Sequence, residues 1–191
     1  MTNLAERRGI ETEVYQPAED SRLLAEVVAD DVTDSDVVLE VGTGSGYVAE
    51  FVATETGARV LGSDVNPHAC KRARERGVEA VRGNLVAPFR DSVFDAVLFN
   101  PPYLPTDSDE ERDDWMEYAL SGGESGREII DPFLDSAGRV LAPDGRVYLL
   151  VSSLSGVDEV VSRASENGFS AVALRDESFP FETLSILKLV R

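Results

Sequence analysis

Between Ala18 and Val190 the apolar residues switch repeatedly between two spacings, and this alternation constrains the fold more than any other feature of the chain. Leu23, Leu24, Val27 and Val28 recur at helical period within Ala18–Asp30, whereas Asp36–Val41 is a short β-branched run suited to a buried strand. The order repeats as helix Tyr47–Thr56, strand Arg59–Ser63, helix Pro67–Arg76, short strand Val78–Arg82 and strand Phe94–Phe99. Helix Arg127–Leu141, strand Arg146–Val151 and helix Val157–Asn167 follow, then strands Phe169–Arg175 and Leu184–Val190 with no helix between them. Strands joined through helices run parallel and are covered on both faces, while two strands joined directly pair antiparallel. The expectation is an α/β fold: a seven-stranded, mostly parallel sheet, helices on both faces, and a C-terminal antiparallel hairpin at one edge. At 191 residues and 42% hydrophobic content, with no internal repeat or low-complexity linker, the sequence reads as one domain over 1–191.

Several function classes lose ground on composition. No run of about 18 apolar residues occurs, and the start MTNLAERRGIETE has no apolar core of a signal peptide, so a cytoplasmic protein without membrane contact is expected. Cys70 is the only cysteine and His68 the only histidine, which leaves neither a disulfide nor a Cys/His zinc site to this chain. The net charge of -18 opposes binding to a polyanion. That argument is discounted, because acidity dispersed along the chain with only Lys71 and Lys188 as lysines is similar to adaptation to a salt-rich cytoplasm. The densest acidic run, Asp107–Asp114, reads as a solvated loop rather than a metal site.

The first strand runs into Glu40-Val41-Gly42-Thr43-Gly44-Ser45-Gly46 and then a helix, placing glycines where the backbone turns sharply and approaches a ligand. A dinucleotide fingerprint needs a sixth-position glycine, and Tyr47 stands there. An acidic Glu40 before the glycines suits a ligand carrying a sulfonium or ammonium in place of a pyrophosphate. A purely structural strand-to-helix turn is the bland alternative. Asp64 ends the second strand 22 residues beyond Gly42, near the offset at which an acidic residue grips ribose hydroxyls. Asn84-Leu85 follows the third strand at the same sheet edge; its amide could meet an adenine amino group, or it is a polar turn residue.

Asn100-Pro101-Pro102-Tyr103 closes the Phe94–Phe99 strand. Two prolines fix φ and remove two N–H groups, so the carbonyls of Asn100 and Pro101 are not tied into a ladder. The Asn100 side chain adds an acceptor and Tyr103 a π face, a set that suits a planar NH2 group; the same run could also be a stiff turn.

These segments, together with Tyr15-Gln16-Pro17-Ala18-Glu19-Asp20-Ser21, Gly122-Gly123 with Gly126-Arg127-Glu128, and Glu182-Thr183-Leu184-Ser185, resemble the HemK-type protein glutamine methyltransferases over nearly the whole chain. The resemblance is to the short archaeal and eukaryotic branch. It implies a Rossmann-like class I methyltransferase fold and S-adenosyl-L-methionine as cofactor, held by Tyr15, Glu19, Ser21, Glu40, Gly42, Gly44, Gly46, Asp64, Val65, Asn84, Leu85 and Asn100. Several relatives carry Asp where Asn84 stands. It implies catalysis by Asn100, Pro101, Pro102 and Tyr103 on a glutamine in the Gly-Gly-Gln loop of a translation release factor. It also implies a small zinc-binding activator subunit, for which the third strand, 78–82, offers an edge, although the residues alone favour a short edge blunted by Glu79 and Arg82.

A glutamine nitrogen is a weak nucleophile because its lone pair is delocalised. Asn100 Oδ1 and the Pro101 carbonyl accepting its two hydrogens would aim that lone pair at the methyl group. The same motif serves enzymes that methylate adenine or guanine amino groups, although no basic groove or added recognition domain is evident. Protein-lysine methylation and a non-catalytic binding module are the remaining readings.

Overall fold

The computed structural model describes residues 14–106 and 115–191. The acidic run expected to be a loop, Asp107–Asp114, lies outside the described residues. The elements are α1 (Glu19–Ala29), β1 (Val37–Val41), α2 (Tyr47–Thr56), β2 (Arg59–Asp64), α3 (Pro67–Glu75), β3 (Glu79–Arg82) and β4 (Phe94–Phe99). They continue with α4 (Trp115–Leu120), α5 (Ile130–Val140), β5 (Leu141–Ser152), a 3-10 turn (Ser153–Ser155), α6 (Val157–Glu166), β6 (Ser170–Ser178) and β7 (Thr183–Val190).

The strands form one sheet in the order β3-β2-β1-β4-β5-β7-β6. β1 to β5 run parallel and β7 is antiparallel to both β5 and β6. The expected architecture is therefore the observed one, including β3 at one edge and the hairpin at the other. Residues of β1 and β4 are buried on both faces, which is why they read as continuous apolar runs. One face packs on α1, α2 and α3 through Leu24, Val28, Val52 and Ala73; the other packs on α5 and α6 through Phe133, Leu134 and Val160. Each fully buried Leu or Phe side chain contributes about 1.5–3 kcal/mol.

Two elements differ from the sequence reading. β5 begins at Leu141, because Leu141 pairs with Phe94 before the chain loops out through Asp144 at φ +64° and resumes pairing at Arg146 with Ala96. Helix α4 was not expected; at six residues it is too short to show a period. Among the described residues no helix is long and apolar enough to cross a membrane.

Candidate active site

The carboxyl ends of β1, β2 and β4 open together into a cavity of about 250 Å³. After β1 the chain turns through Gly42 at φ +64° and Gly44 at φ +52°. The turn is fixed by Thr43 N–H donating to the Ser63 carbonyl at 2.9 Å and Gly46 N–H to the Thr43 carbonyl at 2.7 Å. Glu40 is buried at 4% exposure and accepts from Thr43 Oγ1 at 2.6 Å and from Ala49 N–H at 3.1 Å. Burial pushes its pKa up to about 8 against those two hydrogen bonds. Such a carboxylate gains from any cation brought beside it, because a neighbouring positive charge favours the ionised form.

Asp64 joins the loops of β1 and β2. Its Oδ2 accepts from Gly44 N–H at 2.9 Å and its Oδ1 from Asn66 N–H at 2.9 Å. Val65 N–H is a third backbone donor to this carboxylate, which leaves acceptor capacity for a further donor. Desolvation raises its pKa, opposed by backbone N–H groups that include those of Asn66 and Gly44. Val65, Asn84 and Leu85 continue the wall. Leu85 holds φ +48°, an uncommon conformation for a bulky residue, and its carbonyl is tied down by Ser63 Oγ at 3.2 Å.

Opposite this wall stand Asn100, Pro101, Pro102 and Tyr103. Asn100 Nδ2 donates to Asp20 Oδ2 at 3.0 Å, so its amide oxygen is turned the other way. That oxygen, Oδ1, is buried and has no hydrogen-bond partner among the described residues. Tyr15 hydroxyl also donates to Asp20 Oδ2, at 3.2 Å. Burial raises the phenol pKa of Tyr15, with the Asp20 charge adding to it; burial does the same for Tyr103, with Glu182 and Asp20 adding. Both rings therefore stay neutral at physiological pH.

The rim beyond Tyr103 is held by the glycine pairs. Leu104 N–H donates to the Leu120 carbonyl at 3.0 Å and Gly122 N–H to the Leu104 carbonyl at 2.9 Å. A Cβ on Gly122 would lie 2.7 Å from the Gly126 backbone, so the two strands of this turn meet only without side chains there.

The cavity brings together Tyr15, Ser21, Glu40, Gly42, Gly44, Asp64, Val65, Asn84, Leu85 and Asn100 to Tyr103. Two expected residues stand elsewhere. Glu19 is exposed on the outer side of α1, and the buried Asp20 lines the cavity in its place. Gly46 does not line the cavity; a Cβ on it would lie 2.8 Å from Ala73 Cα, so its role is to let α2 start against α3. Asp20 was legible in principle: it lies four residues before Leu24 on the apolar face, whereas Glu19 shares a face with Arg22 and Glu26. Trp115 and Tyr118 of α4 also line the cavity, with rings 6.2 Å apart. Their i,i+3 aromatic spacing was the available signal.

A family model described as a methyltransferase domain matches residues 39–101, the span from β1 to the first proline of the motif. The chain is 38% identical over 94% of its length to a Methanocaldococcus jannaschii protein provisionally named protein N5-glutamine methyltransferase, covering 92% of it. It is 32% identical to the Homo sapiens methyltransferase HEMK2, over 96% of this chain and 92% of that one. Among solved structures, the E. cuniculi Mtq2-Trm112 complex, described as responsible for methylation of the eRF1 translation termination factor, matches with a TM-score of 0.77 and 30% identity. That match covers 94% of this chain and 99% of the other. The chain belongs to the HemK-type protein N5-glutamine methyltransferases, a family of class I methyltransferases.

Proposed function

We propose that this protein transfers a methyl group from S-adenosyl-L-methionine to the side-chain amide nitrogen of a protein glutamine, in the Gly-Gly-Gln loop of a translation release factor. The observation that carries this reading is the Asn100 amide: the residue lines the cavity, Nδ2 is committed to Asp20, and Oδ1 is a buried acceptor with no hydrogen-bond partner among the described residues. A buried acceptor left unpaired costs about 1–3 kcal/mol, which an incoming NH2 group recovers.

The donor set fits the cofactor. Asp64, with acceptor capacity left beyond its three backbone donors, would take the ribose hydroxyls, and the buried Glu40 would favour the cationic end. The backbone at Gly42 presents no side chain to the cavity, and its φ of +64° is one that residues bearing a Cβ rarely adopt. Asn84 and Leu85 would border the base. When bound, S-adenosyl-L-methionine supplies an electrophilic methyl group on sulfur.

The chain's own contribution is positioning. Asn100 Oδ1 and the Pro101 carbonyl accept the two hydrogens of the glutamine NH2, which turns the nitrogen lone pair towards the methyl group. The neutral Tyr103 ring packs against the amide plane. Fixed geometry of this kind supplies up to about 7–11 kcal/mol, and aligned acceptors a few kcal/mol more.

A small zinc-binding partner subunit is proposed on β3. This strand is the sheet edge, with Glu79, Val81 and Arg82 exposed, and unpaired edges accept a further strand. Incubation with methyl-labelled cofactor, with and without that subunit, and with either release factor or RNA tests the reading. Label is expected in release-factor glutamine after hydrolysis to amino acids. Label in RNA alone, or in lysine, would overturn it.

A further inference from the structure

We infer that Asp20 is a positioning residue for the reaction, acting by choosing which end of the Asn100 amide faces the substrate. The inference rests on the reading that Asn100 Oδ1 receives the substrate NH2. An asparagine side chain has two ends of nearly equal size and opposite hydrogen-bonding character. Turned one way, Asn100 offers an acceptor to an incoming NH2; turned the other, it offers two donors, and the NH2 group is repelled. The Pro101 and Pro102 backbone fixes where the side chain sits but cannot select between these orientations.

Asp20 makes the selection. It is 6% exposed, in the first turn of α1, and an ionised carboxylate can only accept. Its Oδ2 takes Asn100 Nδ2 at 3.0 Å, a contact 80 residues apart in sequence. The carboxylate is itself held: Oδ1 accepts from Ser21 N–H at 2.6 Å and Oδ2 from the Tyr15 hydroxyl at 3.2 Å. Its charge beside Nδ2 polarises the amide and makes Oδ1 a stronger acceptor. Positive charge passes from sulfur to the substrate nitrogen during transfer, so a stronger Oδ1 acts most in the transition state. Asp20 thereby couples the Tyr15–Ser21 segment to the Asn100–Tyr103 segment.

The test is a double-mutant cycle on the full chain with its partner, using a Gly-Gly-Gln peptide, with kcat, KM and cofactor affinity measured for each variant. Asp20→Asn should lower kcat on the order of 10- to 100-fold, the range for losing a hydrogen bond to a charged group, with peptide KM changed less. Asn100→Asp alone sets two carboxylates side by side and should also lose turnover. The combination Asp20→Asn/Asn100→Asp restores a donor facing an acceptor while an oxygen still faces the cavity. Its kcat should exceed that of either single variant. Losses that simply multiply would assign Asp20 a structural role and overturn the inference, as would an Asp20→Asn enzyme with wild-type kcat. Full turnover by Asn100→Ala would instead overturn the underlying reading of Asn100. Should Asp20→Asn fail to fold, a neutron structure of the unmodified protein decides: deuterons on the Asn100 atom facing Asp20 are expected, and deuterons facing the cavity contradict the inference.

Discussion

The carbonyl oxygen of Tyr103 passes so close to Gly126 that a Cβ on Gly126 would lie 2.7 Å from it, and Gly126 itself holds φ +70°. The distal glycine pair and the Asn-Pro-Pro-Tyr motif are therefore one structural unit. Gly126→Ala carries about 1–2 kcal/mol of left-handed backbone strain before the clash is counted. Melting should fall by about 2–8 °C from that strain and kcat by about 10-fold through displacement of Tyr103, with cofactor affinity little changed. Thermal unfolding and steady-state kinetics check both; unchanged values would separate the two motifs.

Glu40 predicts a pH dependence. Its pKa is raised from 4.5 to about 8 by burial, so between those values the folded state holds more protons than the unfolded one. Its contribution to stability therefore falls as pH rises through that window. Glu40→Gln should flatten the fall, read as melting temperature against pH. A cationic ligand favours the ionised carboxylate, so cofactor binding at pH 7.5 should release protons. Calorimetry in buffers of different ionisation heat would detect them, and buffer-independent heats would argue against a cation beside Glu40.

Asp64→Ala removes the acceptor that joins Gly44 N–H to Asn66 N–H across two loops. Cofactor Kd should rise on the order of 10- to 100-fold, given about 1.5–3 kcal/mol for hydrogen bonds to a charged group. Turnover at saturating cofactor should fall much less. Calorimetry giving a normal Kd would remove Asp64 from the site.

The sheet was legible because β1 and β4 are buried on both faces and read as unbroken apolar runs, and because every parallel pair is separated by a helical period. The start of β5 was not, since the excursion around Asp144 breaks its pattern without breaking its pairing with β4. At the site, Gly42, Asp64 and Asn100 stood out because strand ends fix where they must lie. The choice between Glu19 and Asp20 depended on helical phase, and the contact of Asp20 with the Asn100 amide joins residues 80 apart in sequence. Neither Gly122 nor Gly126 revealed its function until the turn was seen packed against Tyr103 and itself.

Val81 is 39% exposed on the β3 edge. Val81→Asp places a charge where a partner strand is proposed to dock, while the inward-facing Ala80 and the β2 pairing are left intact. Copurification with the proposed partner subunit should be lost with melting of the isolated chain changed by less than about 2 °C, as for an ordinary surface substitution. Retained copurification would place the partner elsewhere.

Whether Asn100 holds an NH2 group for methylation is tested most directly by kcat for Gly-Gly-Gln peptide methylation by Asn100→Ala, measured beside its cofactor Kd. The expected kcat is lower by on the order of 100-fold or more, with Kd within about threefold of the unmodified protein, because a group aligned for transfer is lost. Unchanged kcat, or a loss confined to Kd, would contradict it.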